Sequence, residues 1–489
     1  MVRLTLETFA VSVCLAIVGF AQQVPVVQTT AGKIVGKALS DTTYAYLNVP
    51  YAQPPVGPLR FLAPRPILTP ETERNGTRFG NSCIQNPVST PIYSVESEDC
   101  LYLNVWTSPP AANKLRPVFM WLYGGAWTSG TASGYFNDLT KWAKARPDIV
   151  FVSINYRLNF YGYAESPALS YNDTNAGLRD QRAAVEWVAA NIAAFGGDPA
   201  HIVLGGQSAG SASVAEYLYA YPDQPLLRGA ITMSGQADLA NILSQVEVPN
   251  LSASDENPFP VIATSLGCPL IEDNYAAQLD CVRTKTAADI RQAISTNNIS
   301  RISPFVDNQT LYPSTEYRAR GAAGRFASVP LLTGTTENEG DFFVINRTTN
   351  TLNETRSDLL TLAAFRCLDA QQANYSSKKV STYRYRYMGV FPVLSPPPLR
   401  SWHGSDQIVL FNNTAGLPLL AVEYMQEAWS AFIVKPNDGL LSIGWKKYQG
   451  YGTKTLVDIF RNSTDLAHPI QLENPTLFDI KCAILEQGV

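Results

Sequence analysis

Runs of consecutive apolar residues predict the strands of a buried β-sheet. Residues 118–123, 149–154 and 229–233 are apolar with almost no polar alternation. Strands of this kind are buried on both faces, as in parallel sheets that carry helices on each side. Two shorter stretches, 202–204 and 329–333, predict further strands of the same sheet.

Helical periodicity between these runs predicts that strands and helices alternate. Val185, Val188, Ile192 and Phe195 follow one another at spacings of three, four and three, which places them on one face of a helix. Gly196 predicts the end of that helix. Strands that alternate with helices are typical of an α/β fold with a mainly parallel sheet. Residues 236–325 show less regular patterning and are expected to form an irregular cap or side region.

One short motif between a predicted strand and a predicted helix indicates a nucleophile. Gly206-Gln207-Ser208-Ala209-Gly210 has the form Gly-x-Ser-x-Gly and follows the strand at 202–204. In a nucleophile elbow, this motif holds the serine on a strained turn between strand and helix, and glycines keep its surroundings clear of side chains. We therefore expect Ser208 to be the nucleophile.

Several further motifs accompany the elbow in a fixed order. They are the blocks 98–106, 121–127, 155–157, 175–181 and 195–199. With these blocks, the sequence resembles the type-B carboxylesterase/lipase family, which includes the cholinesterases. The resemblance implies an α/β-hydrolase fold, with a mainly parallel central sheet and helices on both faces, in a single domain over residues 22–489. It also implies cleavage of carboxylic esters without a metal or organic cofactor.

Only three histidines could serve as the general base that a serine nucleophile needs. His201 starts the strand that leads to the elbow and should lie at its far end from Ser208. His468 lies near the C-terminus. His403 follows the last predicted sheet segment, in a loop that matches the family's catalytic histidine loop. The chain order of serine, acid and histidine is also the order expected of this fold.

The acid that orients the histidine should follow the predicted strand at 329–333. Glu337, Glu339 and Asp341 all do so. The family's motif ends in Glu-Gly, which selects Glu339 and leaves the other two and Asp307 as alternatives. The expected triad is therefore Ser208, Glu339 and His403.

Backbone N–H groups should stabilise the oxyanion of the tetrahedral intermediate. The resemblance assigns this role to Gly125, Ala126 and Ala209. Ala126 stands where the family more often has glycine, but it still presents an N–H group. Gln207 stands where many relatives have glutamate, which removes a charge near the elbow without affecting a triad residue.

Charge and composition argue against several classes of ligand. The formal net charge is −4, from 37 basic and 41 acidic side chains, and there is no run of Lys or Arg. Nucleic acid and anionic membranes are therefore not expected partners. Three histidines and the lack of a Cys-x-x-Cys motif argue against a metal site. The expected partner is a small-molecule ester.

The first 21 residues are expected to form a secretory signal peptide. Arg3 precedes the apolar stretch 9–20, which Glu7 and Gln22 keep shorter than the roughly 20 residues of a membrane span. We expect a secreted chain without a stable membrane span. N-glycans are also expected, because ten asparagines have the Asn-x-Ser/Thr pattern. These are Asn75, Asn172, Asn250, Asn298, Asn308, Asn346, Asn353, Asn374, Asn412 and Asn462.

Six cysteines remain after the expected signal peptide, and an even number in a secreted chain predicts disulfides. Short loops favour Cys83–Cys100 and Cys268–Cys281, which leaves Cys367 to pair with Cys482. The loop between Cys83 and Cys100 is short and has no tryptophan, whereas cholinesterase relatives have a choline-binding tryptophan there and true lipases have a longer lid.

These patterns predict a secreted serine carboxylesterase that acts through an acyl-enzyme intermediate. A lipase that acts on longer-chain glycerides is the alternative. A non-catalytic adhesion or binding module is a remote alternative, because some relatives have lost the serine.

Overall fold

The computed structural model describes residues 24–86, 93–109, 114–245 and 257–482. Within these residues, the main sheet has 11 strands in the spatial order β11-β10-β9-β8-β7-β6-β4-β5-β3-β2-β1. The strands are β1 (Lys37–Ser40), β2 (Thr43–Pro50), β3 (Tyr102–Thr107), β4 (Arg116–Leu122), β5 (Val150–Ile154), β6 (Gly197–Gln207), β7 (Gly229–Met233), β8 (Leu331–Thr336), β9 (Thr382–Tyr387), β10 (Leu456–Ile459) and β11 (Ile470–Glu473).

The centre of the sheet is parallel and its borders are antiparallel. Strands β4 to β10 are joined by parallel pairings, whereas β1, β2, β3 and β11 pair antiparallel with their neighbours. The carboxyl ends of parallel strands lie at the same edge of a sheet. Side chains that follow β6, β8 and β9 are thereby brought to one edge, and ligands of open α/β sheets bind at that edge.

Helices and short strands complete the described fold. The α-helices are α1 (Thr140–Ala145), α2 (Asn159–Gly162), α3 (Ala176–Asn191), α4 (Ala209–Ala220), α5 (Leu239–Gln245), α6 (Phe259–Ser265), α7 (Tyr275–Arg283), α8 (Ala287–Thr296), α9 (Ser314–Ala322), α10 (Asp341–Val344), α11 (Glu354–Leu360), α12 (Cys367–Ser377), α13 (Ser405–Phe411), α14 (Leu419–Val434) and α15 (Pro475–Asp479). A π-helix, Thr361–Arg366, joins α11 to α12. Two small sheets consist of Val26–Thr29, Gly32–Val35 and Glu71–Asn75, and of Ser82–Cys83 and Glu96–Ser97.

Adjacent residues of β4 show how the sheet is covered on both faces. Val118 packs in an apolar cluster with Val188 of α3, whereas Phe119 packs in a different cluster with Trp429 of α14. Successive side chains of a strand point to opposite faces, so a strand that is buried on both sides is apolar at every position. The α/β-hydrolase fold expected from the sequence is therefore the observed one. Among the described residues, no helix is long and apolar enough to cross a bilayer.

Three expectations about the elements were wrong. The side region is more regular than expected, because its described residues, 236–245 and 257–325, include the five helices α5 to α9. The predicted helix stops at Asn191, and Ile192–Phe195 forms a 3₁₀ turn that ends at Gly196, with φ 80°. The sheet also continues past the segment that precedes His403, because β10 and β11 follow that loop. The expected signal peptide, residues 1–21, and the sequon at Asn250 lie outside the described residues.

Three disulfide bridges form among the described cysteines, in the expected pairs. They join Cys83 to Cys100, Cys268 to Cys281, and Cys367 to Cys482. The last bridge has a sequence separation of 115 and ties α12 to the end of the described chain. It is reinforced by Arg384 of β9, which bonds to Asp369 of α12 and to Asp479 of α15.

Candidate active site

The turn at Ser208 has the geometry of a nucleophile elbow. Ser208 lies between β6 and α4 with φ 56° and ψ −125°, a strained conformation for a residue with a side chain. A Cβ atom on Gly206 would lie 2.4 Å from the carbonyl carbon of Gly210, and one on Gly210 would lie 2.2 Å from the Leu122 oxygen. Both glycines are therefore required by close packing, which explains the motif in physical terms.

A buried carboxylate and imidazole meet at the sheet edge near this turn. Glu339 follows β8 and His403 follows β9, and His403 Nδ1 is hydrogen-bonded to Glu339 Oε2. The other carboxylate oxygen, Oε1, accepts a bond of 2.7 Å from the Thr336 N–H. Because a carboxylate only accepts hydrogen bonds, Nδ1 must carry the proton. The remaining ring nitrogen, Nε2, is thereby left as a proton acceptor.

The Gln207 side chain reaches this second ring nitrogen. Its amide nitrogen lies 3.1 Å from His403 Nε2, and the amide donates because Nε2 is unprotonated. Among the described residues, no hydrogen bond links the Ser208 hydroxyl to Nε2, although such bonds are often long in unliganded sites. Sequence reasoning missed this contact: it treated Gln207 as the loss of a charge, although its position next to Ser208 was a signal.

The other candidate acids form contacts with residues other than His403. Glu337 lies within 3.4 Å of Arg386, and Asp341 forms an ion pair of 2.6 Å with Arg400. Asp307 accepts bonds from its own turn, including one of 2.8 Å from the Thr310 N–H. Of the four candidates, the structure brings only Glu339 to the imidazole.

The other two histidines lie away from the elbow. His201 lies inside β6, and its ring is 2.8 Å from the Ile433 carbonyl. His468 is exposed and lies 3.1 Å from Asp465. His201 was expected to start the strand, but β6 begins at Gly197, four residues earlier, so His201 lies within the strand.

The turn that carries the expected oxyanion donors lies beside Ser208. A Cβ atom on Gly124 would lie 2.9 Å from Ser208 Cβ. The next two residues have positive φ angles, 120° at Gly125 and 53° at Ala126. In the described part of the chain, the N–H groups of Gly125, Ala126 and Ala209 donate no hydrogen bond. They are therefore unpaired donors next to the nucleophile turn.

Aromatic rings lie next to the imidazole of His403. The ring centroids of Phe343 and Phe365 lie 5.0 and 4.9 Å from that of His403. Phe365 belongs to the π-helix, a rare element that often occurs at functional sites. Phe342 is partly exposed and stacks on Trp402 at 5.5 Å. Sequence reasoning singled out none of these rings.

Asp406 is a further buried acid near the pair. It lies three residues after His403, in α13, and accepts a bond of 2.9 Å from the Tyr385 hydroxyl. Burial, together with the nearby charge of Glu339, raises the pKa of Asp406 to about 6. Negative charge at this edge is therefore spread over two carboxylates with different environments.

The chemical inventory of the site matches acyl transfer. It has a hydroxyl on a strained turn, a base with one tautomer fixed by a carboxylate, and unpaired N–H donors beside the hydroxyl. No group of three or more His, Cys, Asp or Glu side chains in the described residues could hold a metal ion.

Comparison with known proteins agrees with this inventory. The sequence profile of the carboxylesterase family matches residues 23–388. The chain belongs to the carboxylesterase family. This carboxylesterase is therefore a carboxylic ester hydrolase with the α/β-hydrolase fold.

Three relatives have names that refer to three different activities. The carboxylesterase is 34% identical to the chlorogenic acid esterase of Aspergillus niger over 443 residues, which cover 84% of this chain and 83% of the relative. It is 28% identical to secreted lipase 5 of Gibberella zeae over 462 residues, 82% and 83% of the two chains. It is 33% identical to the mouse cholinesterase over 342 residues, 65% of this chain and 54% of the relative.

Proposed function

We propose that this carboxylesterase is a secreted serine esterase that acts through Ser208, His403 and Glu339. The observation that supports this most directly is the buried Glu339–His403 hydrogen bond at the sheet edge where the elbow ends. The carboxylate fixes the imidazole tautomer that can accept a proton, and the elbow holds a hydroxyl at the start of α4. The one contact still to form is that between the Ser208 hydroxyl and Nε2, where the Gln207 amide now lies.

Acylation begins when the Ser208 oxygen attacks the ester carbonyl and His403 Nε2 accepts the hydroxyl proton. Gln207 must give up its bond to Nε2 at this step. The carbonyl oxygen becomes an anion, which the N–H groups of Gly125, Ala126 and Ala209 stabilise. Loss of one such donor typically lowers kcat by about 10²–10³. The imidazolium then protonates the leaving alcohol, and Glu339 stabilises its positive charge.

Deacylation repeats the steps with water as the nucleophile. The same ring nitrogen takes a proton from water, which attacks the acyl-enzyme carbonyl. The imidazolium then returns this proton to the Ser208 oxygen as its bond to the acyl group breaks and the carboxylic acid leaves. No step requires a group outside the chain, the substrate and water.

Two substitutions test the proposed roles. Ser208→Ala should abolish both hydrolysis of 4-nitrophenyl butyrate and covalent labelling by a fluorophosphonate. His403→Gln should lower kcat by several orders of magnitude, whereas His468→Gln, the matched control at an exposed histidine, should have no effect. Hydrolysis by Ser208→Ala at the wild-type rate would refute the proposal, and so would equal effects of the two histidine variants. Absence of labelling in the wild-type protein would favour a non-catalytic binding module.

An esterase is proposed in preference to a lipase. The disulfide from Cys83 to Cys100 closes a short loop, of which residues 87–92 lie outside the described residues. A short loop offers little surface to cover a site as a mobile lid does. The rate on tributyrin should therefore rise smoothly through the solubility limit. A sharp increase above that limit would instead support the lipase alternative, which the name of the Gibberella zeae relative suggests.

The proposed substrates are aromatic esters such as chlorogenic acid. Two observations support this preference: the name of the Aspergillus niger relative, and the aromatic surface that Phe343 and Phe365 offer at the imidazole. An aromatic substrate would stack on such rings. A higher kcat/KM for chlorogenic acid than for 4-nitrophenyl esters of acyl length two to eight would support this preference.

Secretion is supported by the bridges and by the surface position of the sequons. Three disulfides are typical of an oxidising compartment. Seven of the sequon asparagines are exposed: Asn75, Asn172, Asn298, Asn308, Asn346, Asn353 and Asn462. Expression in a eukaryotic host should yield extracellular protein that begins near Gln22 and that shifts in mass on treatment with an endoglycosidase. Retention of the intact N-terminus inside the cell would contradict this.

A further inference from the structure

One buried arginine lacks the partners that the others have. Five arginines are buried in the described residues: Arg60, Arg116, Arg157, Arg301 and Arg384. Four of them have partners in the fold: Arg60 with Glu98, Arg116 with backbone carbonyls, Arg157 with Asp180, and Arg384 with Asp369 and Asp479. Arg301 is 3% exposed, and its Nε, Nη1 and Nη2 atoms have no hydrogen-bond partner in the described part of the chain.

Arg301 lacks a negatively charged partner among the described residues. Burying an unpaired charge is costly, so buried charges in proteins are normally paired. Burial lowers the pKa of Arg301 to about 10, which still leaves the guanidinium charged at neutral pH. Within the described residues, Arg301 forms no ion pair, whereas the other buried arginines show that this chain supplies partners where it buries guanidinium groups.

The position of Arg301 relates it to the candidate active site. The preceding residue, Ser300, accepts a hydrogen bond of 3.4 Å at its carbonyl from Asn86, whose own N–H donates to the Thr128 carbonyl in the oxyanion turn. The following residue, Ile302, is buried in the same apolar cluster as Ala209. Ser300 is thus linked through Asn86 to the oxyanion turn, and Ile302 shares an apolar cluster with the residue that follows Ser208.

The chemistry of the group points to a carboxylate as its ligand. A guanidinium presents parallel N–H groups that match the two oxygens of a carboxylate. One guanidinium balances a single negative charge, and burial is the only influence on its pKa, so no second cation acts beside it. A monoanion with two acceptor oxygens therefore fits better than a doubly charged phosphate.

We propose that Arg301 is a carboxylate-binding site of this carboxylesterase. The carboxylate comes either from an ester substrate that carries a second, non-reacting carboxylate or from a free carboxylic acid, such as a hydrolysis product. The substrate form rests on the proposed function, whereas binding of a free carboxylate does not. The two sources share one chemistry and are separated by the experiments below.

The first experiment measures binding without catalysis. Thermal unfolding of the full-length protein is followed in sodium propionate and in sodium chloride at equal ionic strength. Propionate should raise the Tm of the wild-type protein above its value in chloride, should do so less for Arg301→Lys, and should have no such effect on Arg301→Met. In chloride alone, Arg301→Met should unfold at the wild-type temperature or higher, because it removes an unpaired buried charge.

The second experiment measures substrate preference with two matched pairs of esters. One pair is mono(4-nitrophenyl) glutarate and 4-nitrophenyl pentanoate, and the other is 3-(butanoyloxy)benzoate and phenyl butanoate. If the substrate supplies the carboxylate, Arg301→Met should lower the ratio of kcat/KM for the anionic ester to that for its neutral partner at least tenfold in one pair, with the neutral rate kept. If only the propionate effect depends on Arg301, the ligand is a free carboxylate.

The proposal is overturned if Arg301→Met changes neither the propionate effect nor any ester ratio. It is also overturned if Arg301→Met is strongly destabilised in chloride, because the guanidinium would then have a structural partner. Failure of the proposed function gives a different result, because no ester would be hydrolysed and Ser208 would not be labelled, while the propionate experiment would still report on Arg301.

Discussion

Replacing Glu339 with glutamine exchanges one carboxylate oxygen for an amide nitrogen, and the structure determines which one. The Thr336 N–H donates to Oε1 over 2.7 Å, so that position must remain an acceptor. The amide nitrogen of the glutamine must then take the Oε2 position and donate to Nδ1 of His403. The imidazole proton would be forced onto Nε2, which could no longer accept the proton of Ser208.

The expected decrease in kcat follows from these hydrogen bonds. Turning the amide to restore the productive tautomer would leave the Thr336 N–H facing another donor, at a cost of about 1–3 kcal/mol. That alone lowers the rate by a factor of about 5–150. Loss of the negative charge beside the imidazolium lowers the rate further. In a serine triad, a histidine held in the wrong tautomer lowers kcat by about 10⁴. We expect Glu339→Gln to lower kcat by about 10⁴, and by about 10² at the least.

The assay is hydrolysis of 4-nitrophenyl butyrate, with the folded fraction checked by circular dichroism. Glu337→Gln is the matched control, because Glu337 lies two residues away and faces Arg386 at 3.4 Å instead of the imidazole. It should keep kcat within a few-fold of wild type. If folded Glu339→Gln retained kcat within tenfold of wild type, the tautomer argument would be refuted.

Three further substitutions test other parts of the structure. Gln207→Glu places a carboxylate at the Nε2 side of His403 and should move the acid limb of the kcat/KM–pH profile up by about 1 pH unit; an unmoved limb would contradict the observed contact. Burial raises the pKa of Asp406 in the folded protein from 3.8 to about 6. The free energy of unfolding of the wild-type protein should therefore fall as the pH rises from 4 to 6. Asp406→Asn should remove this fall and so gain up to about 3 kcal/mol relative to wild type by pH 7, measured by urea unfolding; parallel pH curves would speak against it. Replacing Cys367 and Cys482 by alanine opens a bridge of sequence separation 115 and should cost about 4.8 kcal/mol, against about 2.9 kcal/mol for the bridge of separation 13. Equal losses would show that loop entropy does not govern these bridges.

The sequence predicted strands that are apolar on both faces better than strands that contain charged residues. Strands β4, β5 and β7 are apolar at nearly every position because both of their faces are covered. Strand β9 escaped prediction because it alternates tyrosine with Arg384 and Arg386, a pattern that suggests an exposed face. Its arginines are instead neutralised by carboxylates, with Arg384 bonded to Asp369 and Asp479. A buried ion pair cannot be read from one strand, since the partner lies elsewhere in the chain.

Likewise, some residues and contacts of the candidate site could be predicted from the sequence and others could not. Ser208 was predicted from a local motif, because the elbow is built from neighbouring residues. Glu339 was chosen over Glu337 only through the family resemblance, since spacing alone could not decide which carboxylate meets the imidazole. The contact of Gln207 with His403 joins residues 196 positions apart and arises from the packing of two separate strand ends.

The backbone at Ser208 sets folding and catalysis against each other at one residue. With φ 56° and ψ −125°, it has a conformation that glycine would adopt with less strain than serine. A population of variants screened for thermal resistance alone should therefore drift away from serine at this position, whereas a screen for turnover should retain it. The proposed nucleophile is thus also a strained residue of the turn.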